Sequence, residues 1–318
     1  MILVLVEHDR GKLNELSLQA LTFARQLGEP NQAVLVGEAG RSVVARLAGY
    51  GADVVHLAQE PRLEEYAPAA WAQCIADRIA TLQPSMVLAA GSERGNEVLA
   101  YVAARLDLPF AANCTEVNAG DSLIVTRQRW GGSLLEDARL HGAVKLLTIA
   151  PHTVQAEATA TAQVPTVAEF SPVLSDKDFR VRVTARVENT GGKASLSDAK
   201  VVVGGGRGVG SSEGFAVLEE LAALLNGVVG CSRAVTSNGW RPHLDQIGQT
   251  GTRIAPELYI ACGVSGAIQH MVGCKGSKQI LAINTDPEAP IVTRADYAII
   301  DDLHKAIPAI CAELRNGQ

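Results

Sequence analysis

Short apolar runs alternate with segments of helical periodicity over the first third of the chain. Runs of strand length lie at residues 1–6, 33–37, 53–57 and 86–90. Apolar residues recur every three or four positions between these runs, which predicts helices over residues 13–27, 41–47, 66–82 and 93–106. Repeated strand–helix units with continuously apolar strands predict an α/β fold whose mainly parallel sheet is covered by helices on both faces.

The pattern changes after residue 106. Strands with few helices between them are predicted over residues 111–117, 122–128, 143–149 and 179–187. We therefore expect antiparallel strands or an extension of the sheet in this part. Arg127, Arg129 and Trp130 stand together in a segment that ends at Ser133. This segment is either a solvated strand end covered by Trp130 or an interface loop.

A polar segment rich in glycine and serine, residues 189–198, has the composition of a linker. Since 318 residues exceed one typical hydrophobic core, we predict an N-terminal α/β domain over 1–188 and a second domain over 199–318. In the second domain, strands are predicted at 201–203, 228–230, 258–262, 279–283 and 295–300, with helices at 213–225 and after Asp302. This alternation predicts a doubly wound fold.

Polar residues follow each of these five strands. The carboxyl ends of parallel strands lie at one edge of a sheet, so we expect an elongated ligand with a phosphate centre there. The glycine loop at 204–210 matches neither G-x-G-x-x-G nor the P-loop pattern, and predicts only a turn whose amides and Arg207 approach a ligand. Residues 265–270 are predicted to begin a helix that either cradles an anion with its free N–H groups or is simply capped there. Asp302 either contacts the ligand or is only the N-cap of the helix that follows it.

Composition narrows the class of protein. With 47% hydrophobic and 19% charged residues, the chain is typical of a soluble globular protein. A net charge of −6 argues against a general nucleic-acid or anionic-membrane surface. The six cysteines lack metal-site spacing, and the first apolar run is too short for a signal peptide or membrane span. We expect buried, reduced thiols, a cytoplasmic protein and no direct membrane insertion.

Several ordered motifs of the second domain carry a family resemblance. They are Gly205-Gly-Arg-Gly208, Cys231-Ser-Arg233, Ile247-Gly-Gln-Thr-Gly251, Pro256-Glu-Leu-Tyr-Ile-Ala261, Ser265-Gly-Ala-Ile-Gln-His270 and Ala282-Ile-Asn-Thr-Asp-Pro-Glu-Ala-Pro-Ile291. With these motifs the chain resembles the alpha subunit of electron transfer flavoprotein, almost continuously over 199–318 and more loosely over 1–187.

The resemblance implies a bound FAD. The residues that it places around this cofactor are Arg207, Ser232, Arg233, Ile247, Gly248, Gln249, Thr250, Gly251, Ser265, Gly266, Ala267, Ile268, Gln269, His270, Asn284, Asp302 and Leu303. It implies that Thr250 lies near the flavin N5, that Arg233 lies over the ring and that His270 lies near the pyrimidine end. A cation there stabilises a reduced flavin, so we expect Arg233 and His270 to set the reduction potentials.

Two positions depart from the common family pattern. Ser237 and Asn238 stand before Gly239 where Asp-Ala is common, and Ser133 stands where Asn is frequent. The first departure changes the electrostatics beside the ring. The second departure lies in the loop that ends at Ser133, and it affects the role of this loop at an interface or with a partner.

The implied function is that of an electron carrier. The resemblance implies a heterodimer with a beta subunit, flavin-dependent dehydrogenases as electron donors, and a quinone oxidoreductase or other redox acceptor. The residues offer no catalytic constellation or metal cluster, and a flavin carrier needs neither, since the cofactor performs the redox chemistry. Open alternatives are a FixB-like or electron-bifurcating relative, an NAD- or coenzyme A-using enzyme with His270 as its best acid or base candidate, and a nucleotide-binding regulatory module.

Overall fold

The computed structural model describes residues 1–119, 122–132, 134–160, 163–185, 196–197 and 199–316. The chain divides into two compact units, Met1–Val187 and Glu188–Gln318. Most of the predicted linker at 189–198 lies outside the described residues, and so does Ser133. In the described residues, no helix combines the length and the apolar character that crossing a bilayer requires.

The N-terminal unit is built on a large sheet. Its strands are β1 Ile2–Leu5, β2 His8–Asp9, β3 Lys12–Leu13, β4 Asn31–Val36, β5 Ala52–Ala58, β6 Met86–Ala90, β7 Phe110–Ala119, β8 Leu123–Arg129, β9 Leu134–Leu140, β10 Lys145–Ile149 and β11 Thr166–Phe170. Nine of them form one sheet in the order β11-β5-β4-β1-β6-β10-β7-β8-β9, while β2 and β3 form a small antiparallel pair. Only the β7–β8 and β8–β9 pairings of the large sheet are antiparallel. The predicted antiparallel extension after residue 106 is therefore confirmed.

Three α-helices cover this sheet, namely α1 Glu15–Gln26, α2 Pro68–Leu82 and α3 Glu93–Leu106. Short polar side chains cap two of them, because Asn14 accepts from the Leu16 N–H and Ser92 from the Gly95 N–H. The predicted helix at 41–47 is a 3₁₀ helix, Glu38–Leu47. Further 3₁₀ turns are Pro61–Glu64, Trp130–Gly132 and Asp176–Phe179.

One prediction for this unit is wrong, and one of two open alternatives is excluded. The strand over 179–187 does not form in its described part, since Phe179 ends a 3₁₀ turn and stacks on the guanidinium of Arg62, 4.3 Å from the ring centre. Alternating apolar residues alone do not make a strand without a partner strand. Trp130 does not cover the end of β8, because it is 79% exposed.

The core of the N-terminal unit lies on both faces of the sheet. Ile2 and Val4 belong to one buried cluster with Leu21 of α1. Leu3 and Leu5 belong to a second cluster with Ile75 of α2. Because successive strand residues point to opposite faces, the continuous apolar run of β1 fills both layers.

The C-terminal unit contains a smaller, fully parallel sheet. Its strands are β12 Val201–Gly205, β13 Val228–Cys231, β14 Leu258–Cys262, β15 Gln279–Asn284 and β16 Tyr297–Ile300. They are ordered β13-β12-β14-β15-β16, and every pairing is parallel. The α-helices are α4 Ala216–Leu224, α5 Arg233–Ser237, α6 Ile268–Cys274 and α7 Leu303–Asn316, and 3₁₀ turns occur at Arg207–Val209, Glu213–Phe215, His243–Asp245 and Val292–Arg294.

The strand order places a crevice at the carboxyl edge of this sheet. The chain leaves β12 toward β13 on one side and returns to β14 on the other. The carboxyl ends of β12 and β14 are thus a topological switch point, where ligands bind in open α/β sheets. The predicted doubly wound arrangement, with five parallel strand ends on one edge, is confirmed.

All six cysteines are buried. They are Cys74, Cys114, Cys231, Cys262, Cys274 and Cys311. Burial raises the pKa of the thiols of Cys231, Cys262 and Cys274 to about 12. These thiols are protonated core residues rather than nucleophiles.

Candidate functional site

The loops that follow β12 and β14 are joined backbone to backbone. The Gly206 N–H donates to the Cys262 carbonyl at 2.8 Å, and the Gly208 N–H donates to the Gly263 carbonyl at 3.0 Å. A Cβ atom on Gly206 would lie 2.2 Å from the Gly263 oxygen, so only glycine permits this approach. The glycine loop therefore brings the segment of Arg207 against the end of β14.

Helix α6 starts later than the sequence predicts. Its N-cap is Ala267, which has no capping side chain, and its first residue is Ile268. Ser265 is exposed and precedes the helix rather than capping it. The predicted helix start at residue 265 is therefore wrong, and residues 265–267 form a loop.

This loop presents a run of free backbone donors. The N–H groups of residues 265–269 make no hydrogen bond within the part of the chain that the structure describes. Gly266 has a φ of +79°, and a Cβ atom there would lie 2.3 Å from the Ile291 nitrogen. Glycine thus lets the loop turn tightly against the segment after β15. Successive free N–H groups around such a turn form an anion-binding concavity.

The segment containing Gly248, Gln249 and Gly251 lies against this loop and the start of α6. The Gln249 N–H donates to the Gln269 carbonyl at 2.8 Å, and the Gly251 N–H donates to the Gly248 carbonyl at 3.2 Å. A Cβ atom on Gly273 of α6 would lie 2.3 Å from the Gly248 nitrogen. Two of the predicted site segments, 247–251 and 265–270, are therefore direct neighbours.

Two arginines project from this edge. Ser232 follows β13 and donates its N–H to the Gly205 carbonyl at 2.9 Å, which places the start of α5 beside the end of β12. Arg233 follows Ser232, and Arg207 follows the glycines after β12. Both side chains are exposed, and neither forms a hydrogen bond or ion pair with any described residue. Their charges are available to an anionic ligand.

The ends of β15 and β16 complete the edge. The side-chain amide of Asn284 donates to the Val264 carbonyl at 2.8 Å. Asp302 accepts from the His304 N–H at 2.9 Å, so it caps α7. The His304 Nε2 atom lies 3.2 Å from the Val209 carbonyl oxygen, which joins the start of α7 to the turn that contains Arg207.

His270 is paired with a buried tyrosine. Its Nε2 atom lies 2.7 Å from the hydroxyl oxygen of Tyr259 on β14, while its Nδ1 atom is buried without a described partner. Gly204 makes room for this hydroxyl, since a Cβ atom there would lie 2.3 Å from it. If the Tyr259 hydroxyl donates to Nε2, only the Nδ1–H group stays unpaired. If Nε2–H donates to the hydroxyl oxygen instead, both Nδ1 and the hydroxyl proton stay unpaired. The geometry therefore favours the Nδ1–H tautomer.

The structure changes the charge expected for His270. Burial lowers its pKa to about 4, and the backbone of Ile247 acts in the opposite direction. Burial also raises the pKa of the Tyr259 hydroxyl well above its usual value. At neutral pH the pair is uncharged, so His270 is not the cation that the sequence suggested. Arg233 remains the cation that the family resemblance implies there.

The predicted residues differ in whether their side chains reach the surface. The side chains of Ile247 and Leu303 belong to the core, with 1% and 5% exposure, and Gly248, Gly266 and His270 are also buried. The exposed members are Arg207, Arg233, Gln249, Thr250, Ser265, Ala267, Ile268 and Gln269. Gly251, Ser232, Asn284 and Asp302 are partly exposed. A ligand at this edge meets the exposed side chains and the backbone of the buried ones.

Sequence reasoning missed two polar residues behind this edge. Tyr259 lies in the Pro256–Ala261 motif, outside the residues that the sequence predicts around the cofactor. Gln246 is buried, and its amide donates to the Thr250 hydroxyl at 3.0 Å. Gln246 stands in a polar stretch between Asp245 and Ile247 and pairs with Cys231 only as an isolated bridge, so the sequence gives no sign of its burial.

The chemistry of this edge fits a flavin dinucleotide. The free N–H groups at 265–269 and the guanidinium groups of Arg207 and Arg233 suit a pyrophosphate and an electron-rich ring. The exposed hydroxyl of Thr250 and the amides of Gln249 and Gln269 supply neutral polar groups. The described residues contain no cluster of three or more side chains that could hold a metal ion.

Two family models match the chain. The electron transfer flavoprotein domain matches residues 2–174, and the electron transfer flavoprotein FAD-binding domain matches residues 195–275. The second match includes the loops after β12, β13 and β14, with their glycines and arginines. The family model that matches residues 195–275 is that of an FAD-binding domain, so FAD is the cofactor of the C-terminal unit.

Similar proteins cover nearly the whole chain. An electron transfer flavoprotein subunit alpha from Thermoanaerobacterium thermosaccharolyticum is 33% identical over 99% of this chain and 97% of the relative. One from Bacillus subtilis is 35% identical over the same shares. A FixB protein from Clostridium saccharobutylicum is 36% identical over 98% of this chain and 95% of the relative. The chain belongs to the family of electron transfer flavoprotein alpha subunits.

Proposed function

We propose that this chain carries FAD in a heterodimer, accepts electrons from flavin-dependent dehydrogenases and passes them on in one-electron steps. The observation that carries the proposal is the open carboxyl edge of the five-stranded sheet. Backbone donors and two arginines without a partner among the described residues meet exposed polar side chains there, within a unit that matches an FAD-binding domain. FAD supplies the redox chemistry when bound.

The backbone around Gly266 would hold the negative centre of the cofactor. The N–H groups of residues 265–269 have no described partner, and Gly266 leaves room for close approach. Asn284 and Asp302, at the ends of β15 and β16, would lie beside the adenosine half, as the family resemblance implies. Arg207 would add positive charge from the turn after β12.

The segment 247–251 and Arg233 would surround the flavin half. Thr250 and Gln249 are exposed there, while Gly248 and Gly251 shape the turn. The Arg233 guanidinium would stabilise added negative charge on the ring. His270 would act through its position and its neutral dipole, because its charge is suppressed by burial.

We infer a carrier without substrate turnover of its own. The strongest acid or base candidate at this edge was His270, and both of its ring nitrogens are buried. A buried imidazole with a pKa of about 4 is a poor general base at neutral pH. A redox carrier needs no such group.

We also propose that the N-terminal unit contacts the beta subunit and that a quinone oxidoreductase or another redox protein accepts the electrons. The β8–β9 hairpin exposes Trp130, Leu134 and Leu135 by 79%, 54% and 69%. Clustered exposed apolar side chains mark protein interfaces. The FixB protein among the relatives makes a FixB-like role an alternative within the same family.

The test is reduction of the complex purified with its co-expressed beta subunit, followed by visible absorption. We expect bound flavin whose spectrum changes in two one-electron stages during stepwise reduction. Arg233→Ala should retain FAD and lower the first one-electron potential by on the order of tens of millivolts, since an exposed unit charge interacts by about 1 kcal/mol at close range.

Arg315→Ala is the matched control for this substitution. Arg315 is also an exposed arginine of the C-terminal unit, but it lies on α7 and pairs with Glu220. Its removal should leave the potential unchanged. A colourless complex after addition of FAD would refute the proposed function, and equal potentials in wild type and Arg233→Ala would refute the role of Arg233.

A further inference from the structure

Gln246 is a buried amide that connects three segments of the C-terminal unit. Its side chain is 2% exposed and lies where the chain pairs briefly with the end of β13. Its Nε2 atom donates to the Thr250 hydroxyl at 3.0 Å, and its Oε1 atom accepts from the Thr236 hydroxyl at 2.7 Å. The Nδ1 atom of His243 lies 3.1 Å from the same oxygen. Every polar atom of this amide therefore has a partner.

The backbone holds the amide in this place. The Gln246 N–H donates to the His243 carbonyl at 3.0 Å, and the Gln246 carbonyl accepts from the Thr252 N–H at 2.7 Å. A Cβ atom on Gly251 would lie 2.3 Å from the Gln246 oxygen, so glycine permits the tight loop between them. The loop that presents Thr250 is thus closed onto the backbone of Gln246.

The orientation of the amide sets the polarity of the Thr250 hydroxyl. A hydroxyl has one proton to donate and lone pairs that accept. The Thr250 oxygen accepts from Gln246, and this is its only hydrogen bond with a described residue. Its own proton remains free, and the side chain is exposed. The hydroxyl can therefore donate outward.

Thr236 links this arrangement to the arginine helix. Thr236 lies on α5, and its hydroxyl is 3.0 Å from the Arg233 carbonyl oxygen as well as 2.7 Å from the Gln246 amide oxygen. The hydroxyl has a single proton, and the shorter of these two contacts is the one to Oε1. As the donor to Oε1, Thr236 keeps the nitrogen of the amide turned toward Thr250. With the opposite amide orientation, the Thr250 proton would be drawn inward.

We propose that Gln246 is a positioning residue that holds the Thr250 hydroxyl as a hydrogen-bond donor toward an acceptor atom of the bound cofactor. This inference rests on the proposed function, because it takes the ligand of this edge to be FAD. It adds a residue outside the predicted cofactor set and assigns a direction to the hydrogen bond.

Gln246→Glu tests the direction of this hydrogen bond. At about pH 9 the introduced carboxyl is ionised and has only acceptor oxygens, so it draws the Thr250 proton inward. Thr250→Val removes the hydroxyl altogether. In the complex with the beta subunit, we expect either change to weaken FAD binding about three- to tenfold, the value of one neutral hydrogen bond. Both should shift the visible flavin bands in the same direction.

The double variant separates positioning from a merely structural role. We expect Gln246→Glu combined with Thr250→Val to bind FAD no more weakly than either single variant, because both remove the same donor. Multiplied losses, or an unshifted flavin spectrum in Gln246→Glu, would overturn the inference. Gln279→Glu, an exposed glutamine of β15, is the matched control and should change neither quantity.

A second variant tests the same link without a buried charge. Thr236→Val removes the donor to Oε1, so the amide is free to turn, and the loss caused by Thr250→Val should become smaller than in wild type. An unchanged loss in this background would also overturn the inference. A wild-type complex that binds no FAD would instead refute the proposed function, whereas bound FAD without coupling between positions 246 and 250 refutes only the role of Gln246.

Discussion

The carboxyl edges of the two sheets use polar residues in opposite ways. In the N-terminal unit, the Glu7 carboxylate after β1 accepts from the Ser92 hydroxyl at 2.7 Å. Beside it, the Asn113 N–H donates to the Thr148 hydroxyl at 2.8 Å, and that hydroxyl donates to Asn96 at 2.6 Å. These groups satisfy one another.

In the C-terminal unit, the corresponding edge is left open. Arg207, Arg233 and the N–H groups of residues 265–269 have no partner among the described residues. Unpaired polar groups cost free energy unless water or a ligand satisfies them. Two sheets of the same class thus differ in whether the polar groups at the strand ends are closed by the protein itself or available to a ligand. The comparison shows that polar residues at strand ends indicate a site only when their partners are missing.

The largest effect should come from filling the glycine turn of the open edge. Gly266→Ala places a Cβ atom 2.3 Å from the Ile291 nitrogen, at a residue whose φ is +79°. We expect a loss of several kcal/mol in the free energy of unfolding, from about 1–2 kcal/mol of backbone strain and about 1–3 kcal/mol of overpacking. FAD binding should be lost with it. Urea unfolding and cofactor content measure the two effects.

Gly210→Ala is the control, because it also places a Cβ atom on a residue with positive φ but brings that atom close to no other residue. Gly210 has a φ of +88° and no neighbouring atom within 4 Å of an added Cβ atom. We expect only the strain of about 1–2 kcal/mol and retention of FAD. Equal losses in the two variants would show that close approach at Gly266 does not shape the edge.

The next effect concerns His270, a buried residue at the open edge. Its pKa of about 4 lies below the ordinary value of 6.5, so the unfolded chain takes up the proton first as the pH falls. Stability should therefore be fully present above about pH 6.5 and should fall by about 3 kcal/mol toward pH 4. His270→Gln should remove this part of the pH dependence in urea unfolding.

If His270→Gln has the wild-type slope between about pH 4 and about pH 6.5, His270 is not buried as a neutral ring.

Much of the fold follows from local patterns. β14 was predicted to the residue because a continuous apolar run stands between Glu257 and Gly263, and α3 because apolar residues recur at helical spacing over 93–106. β11 was missed because it is an edge strand whose residues are almost all exposed, so no core pattern identifies it.

The sequence predicted which segments form the site, but not which side chains hydrogen-bond to one another within it. The motif order located the segments of Arg207, Thr250 and Ser265 at one edge. It did not show that His270 is neutral, because Tyr259 lies on another element and burial is a property of the fold. Gln246 was missed for the same reason, since hydrogen bonds across loops have no sequence period.

A smaller effect is expected from opening the closed edge of the N-terminal unit. Glu7 is buried and accepts from both Ser92 and Asn14. Glu7→Ala leaves these donors without their acceptor, which should lower the free energy of unfolding of this unit by about 1–3 kcal/mol. The affinity for FAD should not change, because the closed edge binds no cofactor in our proposal.

The control is Glu15→Ala, at an exposed ion pair with Arg46, which should cost less than about 1 kcal/mol. A large loss of FAD affinity in Glu7→Ala would break the distinction between the two edges.

The smallest effect separates the two roles of Asp302. Its carboxylate caps α7 by accepting from the His304 N–H, and it also lies at the end of β16 on the open edge. Asp302→Ala should cost about 1 kcal/mol of stability through loss of the cap, whereas Asp302→Asn keeps a good capping residue and should cost little.

The two variants differ in what they imply for the cofactor. If Asp302 only caps the helix, Asp302→Asn binds FAD as wild type does, and the open edge ends at β15. If Asp302 also accepts from the adenosine half, replacing one carboxylate by an amide should weaken binding, while urea unfolding still shows an intact cap. We expect the weakened binding, because the carboxylate is partly exposed and has acceptor oxygens beyond the one used in the cap. Titration of the complex with FAD distinguishes the two outcomes, and it fixes how many of the five strand ends the cofactor uses.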